Sequence, residues 1–314
     1  MSESKFGGVL VPALTPFKPD FSPDKNKFLR HCRWLLDKGA DGLAVFGTTS
    51  EANSLGVDER MLLLEYLLDN DIPADVLMPG TGTSALTDTV KLTKHAVAHG
   101  CGKVLMLPPF YYKAVNDKGL FASYTETIQR VGDAKLKIYL YHIPPISQIG
   151  ISLDLIGQLL SESPDSIVGI KDSSGDWQNT LSILTEYPTL ATFCGSEVFL
   201  LDTLRNGGAG TITAVGNVNV VGIRQLFERW QTRDAETLQN HITQINHTIR
   251  NATLIPALKS IVASFYDTPD WRLVRPPLEA LTDSNSENLL RGLAELYFKM
   301  GDLPSRVGFS IDNA

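Results

Sequence analysis

Apolar residues along this chain fall into two kinds of segment that alternate. Short runs rich in Val, Ile and Leu recur at Gly8–Leu14, Gly42–Phe46, Asp75–Met78, Lys103–Leu107, Leu136–His142, Ile167–Ile170, Ala191–Cys194 and Thr211–Val215. They are near-continuous in apolar character, the pattern of parallel strands covered on both faces. Between them lie stretches whose apolar positions fall three and four apart, the helical period. Ser22-Pro23-Asp24 opens one such stretch, which places Phe28, Cys32, Leu35 and Leu36 on one side and ends at Gly39. Asp58 opens a second with Met61, Leu62, Leu64 and Leu68, and Leu153, Leu155, Ile156, Leu159 and Leu160 form a third.

The runs return at intervals of roughly 20 to 35 residues, the repeat of a strand-helix unit. Eight such units predict an α/β fold, a (β/α)8 TIM barrel, over residues 1–225. After residue 225 the strand signal stops. Helical periodicity continues through Leu226–Asn251, Pro256–Phe265 and Asn285–Met300, which predicts a C-terminal helical extension over 226–314. No GxGxxG follows the first run, which argues against an open dinucleotide-binding sheet.

Composition narrows the partners. The 314 residues carry a net charge of −7, so no global basic field draws in nucleic acid or an anionic membrane. An anionic substrate therefore needs a local positive site. Cys32, Cys101 and Cys194 lie far apart with no CxxC, which predicts neither a disulfide framework nor a structural zinc site. The opening MSESKFGGVLVPALTPF lacks the basic and long apolar regions of a signal peptide, and no stretch approaches the roughly 18 apolar residues of a membrane span. The expected location is cytoplasmic.

Barrel active sites lie at the C-terminal ends of the strands, so the ends of the runs hold the candidates. Ile167-Val168-Gly169-Ile170-Lys171-Asp172-Ser173-Ser174 ends an apolar run with a lysine. Burial disfavours a charged amine and favours its nucleophilic free base. Two readings stand at this point: a covalent catalyst, or an interior lysine paired with a carboxylate. Phe46-Gly47-Thr48-Thr49-Ser50-Glu51 offers backbone N–H groups and hydroxyls to a carboxylate, though such a turn is commonly just a turn. Tyr139 and Tyr141 share one face of their run, and Tyr141, nearer the mouth, is either a proton relay or a barrel-filling aromatic. Pro108-Pro109-Phe110-Tyr111-Tyr112 presents aromatics on a rigid turn. His95 and His99 have the i, i+4 spacing of metal ligands, but their helix places them at the opposite barrel end, where they read as a surface helix. Gly207-Gly208-Ala209-Gly210 reads as a tight turn in preference to a phosphate or flavin site.

With these segments in view, the sequence resembles the dihydrodipicolinate synthase / N-acetylneuraminate lyase family of class I aldolases. GTTSE at 47–51 is similar to the family's carboxylate loop, YHIPP at 141–145 to its tyrosine motif, and VGIKDSSGD at 168–176 to its lysine motif. GTG at 80–82, PFYY at 109–112, CGSE at 194–197 and GGAGTITAVGNV at 207–218 follow in the family's order. The resemblance implies that Lys171 forms a Schiff base with pyruvate or a related 2-oxo acid, with no metal or other cofactor. It implies that Thr48 and Thr49 hold the substrate carboxylate, that Tyr141 shuttles protons with help from Thr48, and that Tyr111 reaches a neighbouring subunit's site. Gly195 and Ile212 match positions lining the pocket, and the implied assembly is a homotetramer, a dimer of dimers. The second substrate is then an aldehyde.

The chain also departs from the family. Lysine-pathway synthases carry an arginine two residues after the tyrosine motif; Ile146-Ser147-Gln148-Ile149-Gly150 has none. The lyase's acidic pair is reduced to Glu197-Val198, and Val57 and Arg60 stand where lysine-inhibited synthases have histidines, so no lysine inhibition is expected. The alternatives are a 4-hydroxy-tetrahydrodipicolinate synthase, a sugar-acid aldolase or N-acetylneuraminate lyase, and a catalytically silent binding relative.

Overall fold

The computed structural model describes residues 7–302. Its sheet has seven parallel strands, β1 (Gly8–Val11), β2 (Gly42–Leu43), β3 (Lys103–Met106), β4 (Lys137–His142), β5 (Ile167–Asp172), β6 (Ala191–Cys194) and β7 (Gly210–Ile212). They lie in the order β2-β1-β7-β6-β5-β4-β3. The open edges, β2 and β3, are joined by the segment 77–80, which bridges Leu43 to Leu77 and Gly80 to Leu105, both in parallel sense. Met78 N–H donates to the Leu43 carbonyl (2.9 Å) and Leu105 N–H to the Pro79 carbonyl (3.0 Å), so the ring closes.

The predicted barrel is therefore present, with shorter strands. The run Asp75–Met78 begins instead as a 3-10 turn, Ala74–Val76, and pairs only from Leu77 onward. Pro79 supplies no N–H there. The other strands stop where the chain bends into the site: the first at Val11, not Leu14, and the last at Ile212, not Val215.

Helices connect the strands in the expected places. α1 (Lys25–Asp37) starts at an Asp24 cap that accepts from Lys27 N–H, and α2 (Val57–Asp69) starts with the Glu59 carboxylate accepting from Gly56 N–H. α3 (Leu86–Ala98) and α4 (Asp117–Val131) follow, then the short α5 (Pro144–Ser147), α6 (Leu153–Glu162), α7 (Trp177–Glu186) and α8 (Leu200–Arg205). α9 (Gly216–Arg229) runs through residue 225 and packs on β1. The predicted helix over Leu226–Asn251 is split, because α10 starts afresh at Ala235–Arg250 after the turn at 230–234. α11 (Leu254–Tyr266) and α12 (Asp283–Glu295) complete the C-terminal region. Residues 303–314 of the predicted extension lie outside the described residues. No helix among the described residues is long and apolar enough to cross a membrane.

Strand alternation sorts the core into two shells. Val9 and Val11 pack outward against helices, while Leu10, Met78, Leu105, Tyr139, Phe193 and Ile212 fill the barrel axis. Gly169 is the adaptation that admits Tyr139: a Cβ there would stand 2.2 Å from Tyr139 Cδ1 and 2.8 Å from the Ala191 carbonyl oxygen. Overpacking a rigid interior typically costs about 1–3 kcal/mol. Gly169→Ala is expected to destabilise the fold by at least that much, read as a lower urea midpoint at unchanged m-value; unchanged stability would mean that Tyr139 does not fill the axis at this level.

Candidate active site

Parallel register aligns Tyr141 on β4 with Lys171 on β5. Both point into the barrel, and Lys171, only 4% exposed, holds Nζ 4.2 Å from the centre of the Tyr141 ring. The Tyr141 hydroxyl donates to Thr48 Oγ1 at 3.3 Å, across to the loop after β2. Lys171 makes no ion pair with a carboxylate among the described residues. Its neighbour Asp172 is committed elsewhere: Oδ2 accepts from Thr180 Oγ1 (2.6 Å) and Asn179 Nδ2 (3.0 Å), and Oδ1 from Ser174 N–H (2.9 Å).

The loop over the lysine is built from behind. Thr15 Oγ1 donates to the Ser50 carbonyl (2.8 Å), and Ser50 Oγ donates to the Ala13 carbonyl (2.6 Å), so Ser50 is a buried tie between two loops. Glu51, in the left-handed region with φ of 56°, turns its carboxylate away from the cleft. It forms a fully buried ion pair with Lys259 of α11 and accepts from Arg275 N–H at 2.9 Å. Burial pushes the Lys259 amine down to about 8, against the pull of Glu51. Lys259 also donates to the Leu273 carbonyl (2.7 Å), so this second buried lysine is occupied. The turn is closed by Ser50 and Ala52 N–H groups donating to Gly47 O and by Glu51 N–H donating to Thr48 O. The N–H groups of Thr48 and Thr49 donate to no acceptor among the described residues. Two adjacent free amide donors beside a hydroxyl form an anion-binding concavity.

The cleft has a volume of about 410 Å³ and is lined by Thr48, Thr49, Tyr141, Lys171 and Gly195, so five of the seven expected residues come together. Ile212 lies below them in the barrel axis, fully buried, and Ala214 takes the lining position near it. Tyr111 is 72% exposed, stacked edge-on against Tyr112, and does not line this chain's cleft. His142 faces away from the site, where its Nδ1 accepts from Ile151 N–H (2.9 Å) and burial lowers its pKa. Gly207 and Gly208 turn the chain from α8 into the start of β7, the barrel end opposite the cleft.

The sequence reading missed one wall. Asn246, His247 and Arg250, from the last turns of α10, line the mouth. Apart from Lys171, Arg250 is the cation of that lining, and no hydrogen bond or ion pair engages it among the described residues. Asn246 is anchored below by Glu197, whose Oε1 accepts from Asn246 Nδ2 (2.9 Å) while Oε2 accepts from Thr213. Helical periodicity could place Arg250 on α10, but not α10 beside the lysine.

Lysine, phenol and free amide donors gathered at the open end of such a barrel define the class, a lyase of the Schiff-base aldolase kind. A model described as the dihydrodipicolinate synthetase family matches residues 5–296, and the chain belongs to that family. It is 33% identical over 273 residues to an uncharacterized DapA-like lyase of Chloroflexus aurantiacus, covering 86% of this chain and 91% of the relative. A crystal structure of dihydrodipicolinate synthase from Agrobacterium tumefaciens superposes with a TM-score of 0.86 at 30% identity, covering 94% of this chain and 100% of that one. YagE of Escherichia coli K12, a member of the same family solved in complex with pyruvate, gives a TM-score of 0.84 at 25% identity, covering 93% and 99%.

Glu197 makes the anchoring testable. Burial raises its pKa, with the Thr213 and Asn246 donors opposing. A carboxyl with a raised folded-state pKa stays protonated in the native state after the unfolded chain has lost its proton. The native state then binds more protons, so stability falls as pH rises from the ordinary carboxylate range through the folded value. Glu197→Gln is expected to flatten that fall, measured as unfolding free energy against pH; an unaltered slope would place the titration elsewhere.

Proposed function

We propose that this enzyme joins or cleaves pyruvate, or a closely related 2-oxo acid, and an aldehyde through a Schiff base on Lys171. The observation that carries the reading is the triad of positions: a buried amine with no carboxylate partner among the described residues, a phenol beside it, and a loop hydroxyl bonded to that phenol.

The Lys171 amine adds to the ketone carbon to give a carbinolamine, which loses water to give an iminium. The substrate carboxylate sits on the free N–H groups of Thr48 and Thr49, with their hydroxyls nearby. Removal of a methyl proton turns the iminium into an enamine, whose carbon attacks the aldehyde. The aldehyde oxygen takes up a proton, and water returns to release the product; cleavage is the same sequence reversed. The iminium is the electron sink, so no metal or other cofactor is needed for the bond change. Tyr141, linked to Thr48, relays the protons of carbinolamine formation and collapse. The exposed Tyr111 is assigned to a neighbouring subunit's cleft within a homotetramer.

Arg250 bears on the aldehyde. A guanidinium at the mouth with no hydrogen bond or ion pair among the described residues suits an acceptor with a carboxylate or phosphate away from its reacting carbon. That favours an aldehyde bearing an anionic group, such as the carboxylate of the zwitterionic aspartate semialdehyde of a 4-hydroxy-tetrahydrodipicolinate synthase, over an uncharged sugar-acid fragment. The arginine missing from the 146–150 segment is then replaced from α10.

Borohydride with pyruvate is expected to fix one pyruvate-derived adduct on Lys171, located by peptide mass spectrometry; Lys171→Ala should take up none, and labelling of another lysine sinks the reading. Tyr141→Phe is expected to lower turnover by about 10²–10⁴-fold while the adduct still forms. Arg250→Gln should raise KM for an anionic aldehyde about tenfold and leave that for a neutral one unchanged; equal effects on both would remove Arg250 from the acceptor site.

A further inference from the structure

Far from the cleft, the packing of α2 on α3 brings together three side chains that the catalytic chemistry does not use. His95 and His99 are one turn apart on α3, with ring centres 4.3 Å apart. Glu65 of α2 faces them, and its Oε1 lies 2.7 Å from His95 Nε2. One ligand atom from each of the three lies within 4.8 Å of the others. We propose that Glu65, His95 and His99 form a binding site for a borderline divalent transition metal, with zinc the expected ion.

The donor set fits that chemistry. Two imidazoles and a carboxylate match zinc, nickel or copper, whereas calcium and magnesium prefer oxygen donors alone. Two histidines at i, i+4 with a carboxylate from a second element give three protein ligands and leave a fourth position for water. His99 is oriented for the role: its Nδ1 lies 2.8 Å from the His95 carbonyl oxygen. A proton on Nδ1 makes that hydrogen bond and leaves the Nε2 lone pair outward, the arrangement by which outer-shell contacts fix a ligating tautomer. The Glu65–His95 contact already aims a carboxylate oxygen at the other nitrogen, and an ion would take the place of the proton they share.

Closing the site asks for little movement. Tetrahedral zinc with ligand bonds of about 2.0–2.1 Å holds its ligand atoms about 3.3 Å apart. The side chains of Glu65 and His99 reach solvent, so rotamer changes at those two can supply the difference, while His95 is the more buried fixed point. The site also lies at the C-terminal end of α3, the end whose helix dipole favours a cation. α3 ends here at the barrel rim that feeds the start of β3, opposite the cleft, so the bound ion would clamp α2 to α3 and leave catalysis alone.

The test uses the full-length protein stripped with chelator, dialysed, and titrated with zinc against a competing chromophoric chelator. One zinc per chain is expected, together with a rise in Tm that grows with zinc concentration, as binding to the folded state alone requires. Glu65→Gln and His99→Gln, both at solvent-exposed ends, are expected to fold as the parent and to weaken zinc by at least about tenfold, the size seen even for outer-shell partners. Pyruvate trapping on Lys171 should be identical with and without zinc in every variant. Zinc affinity unchanged in both variants, or no stoichiometric binding by the parent, overturns the proposal.

Discussion

The site depends on the register between β4 and β5. Side chains alternate with a period of two, so a slip of one residue would turn Lys171 toward the helices and aim the Asp172 carboxylate at the barrel axis in its place. Tyr141 pairs with Lys171 and His142 with Asp172 after an irregularity between Ile138 and Tyr139. Three donors then hold the register from outside, as Asn179, Thr180 and the Ser174 N–H all converge on the Asp172 carboxylate. The inward half of the same alternation fills the axis with Tyr139 and requires Gly169 opposite it. A buried amine with no carboxylate partner among the described residues, next to a fully bonded acid, is thus one consequence of strand geometry.

The other half of the site is a loop, and loops need support from elsewhere. Here the support comes from the C-terminal helices. Glu51 reaches Lys259 of α11, and Arg275, which also binds Glu59, donates its N–H to the same carboxylate. Such an ion pair loses hydration on burial and adds little net stability, but breaking one partner leaves an uncompensated charge. Its effect is positional: the loop cannot swing without exposing a buried charge. α10 acts on the opposite wall through Gln239 and Asn246, which bond the Glu197 carbonyl and carboxylate. The C-terminal region therefore forms part of the cleft, where the sequence pattern suggested only a helical extension.

What the sequence could show followed from periodicity. The strand repeat located the barrel, and the rule that sites cluster at strand ends isolated Lys171, Tyr141, Thr48 and Thr49, four residues that meet in one cleft. The misses share a cause. Asp75–Met78 carried the apolar signature of a strand, but Pro79 and the 3-10 turn at 74–76 reduced it to isolated bridges. Arg250 and the Glu65 partner of His95 are tertiary neighbours, and no local pattern encodes which helix face lies against which. Ile212 matched a pocket position by motif, but the end of β7 leaves it one layer below the cleft.

Charge gives these parts a common logic. The protein carries −7 overall, and at an ionic strength of about 0.15 M that field fades over about 8 Å. What an anion meets in the cleft is therefore local. At the base are two amide donors with no acceptor among the described residues, and an amine; at the mouth is the Arg250 guanidinium, hydrogen-bonded to none of the described residues but within coulombic reach of Glu197. The acid of the lining, Asp172, faces its own donors. On the proposed chemistry, the enamine has lost the positive charge of its iminium and keeps the carboxylate of the 2-oxo acid. An anionic aldehyde would then approach a negative partner, and its oxygen would gain further negative charge as the carbon–carbon bond forms. On the same proposal, a cation at the mouth would offset the first repulsion, and the phenol beside the amine would supply the proton for the second. That chemistry would need the positive groups of the cleft separated, one end for each substrate. α10 achieves that separation, because it contributes Arg250 from an element that shares no strand with Lys171.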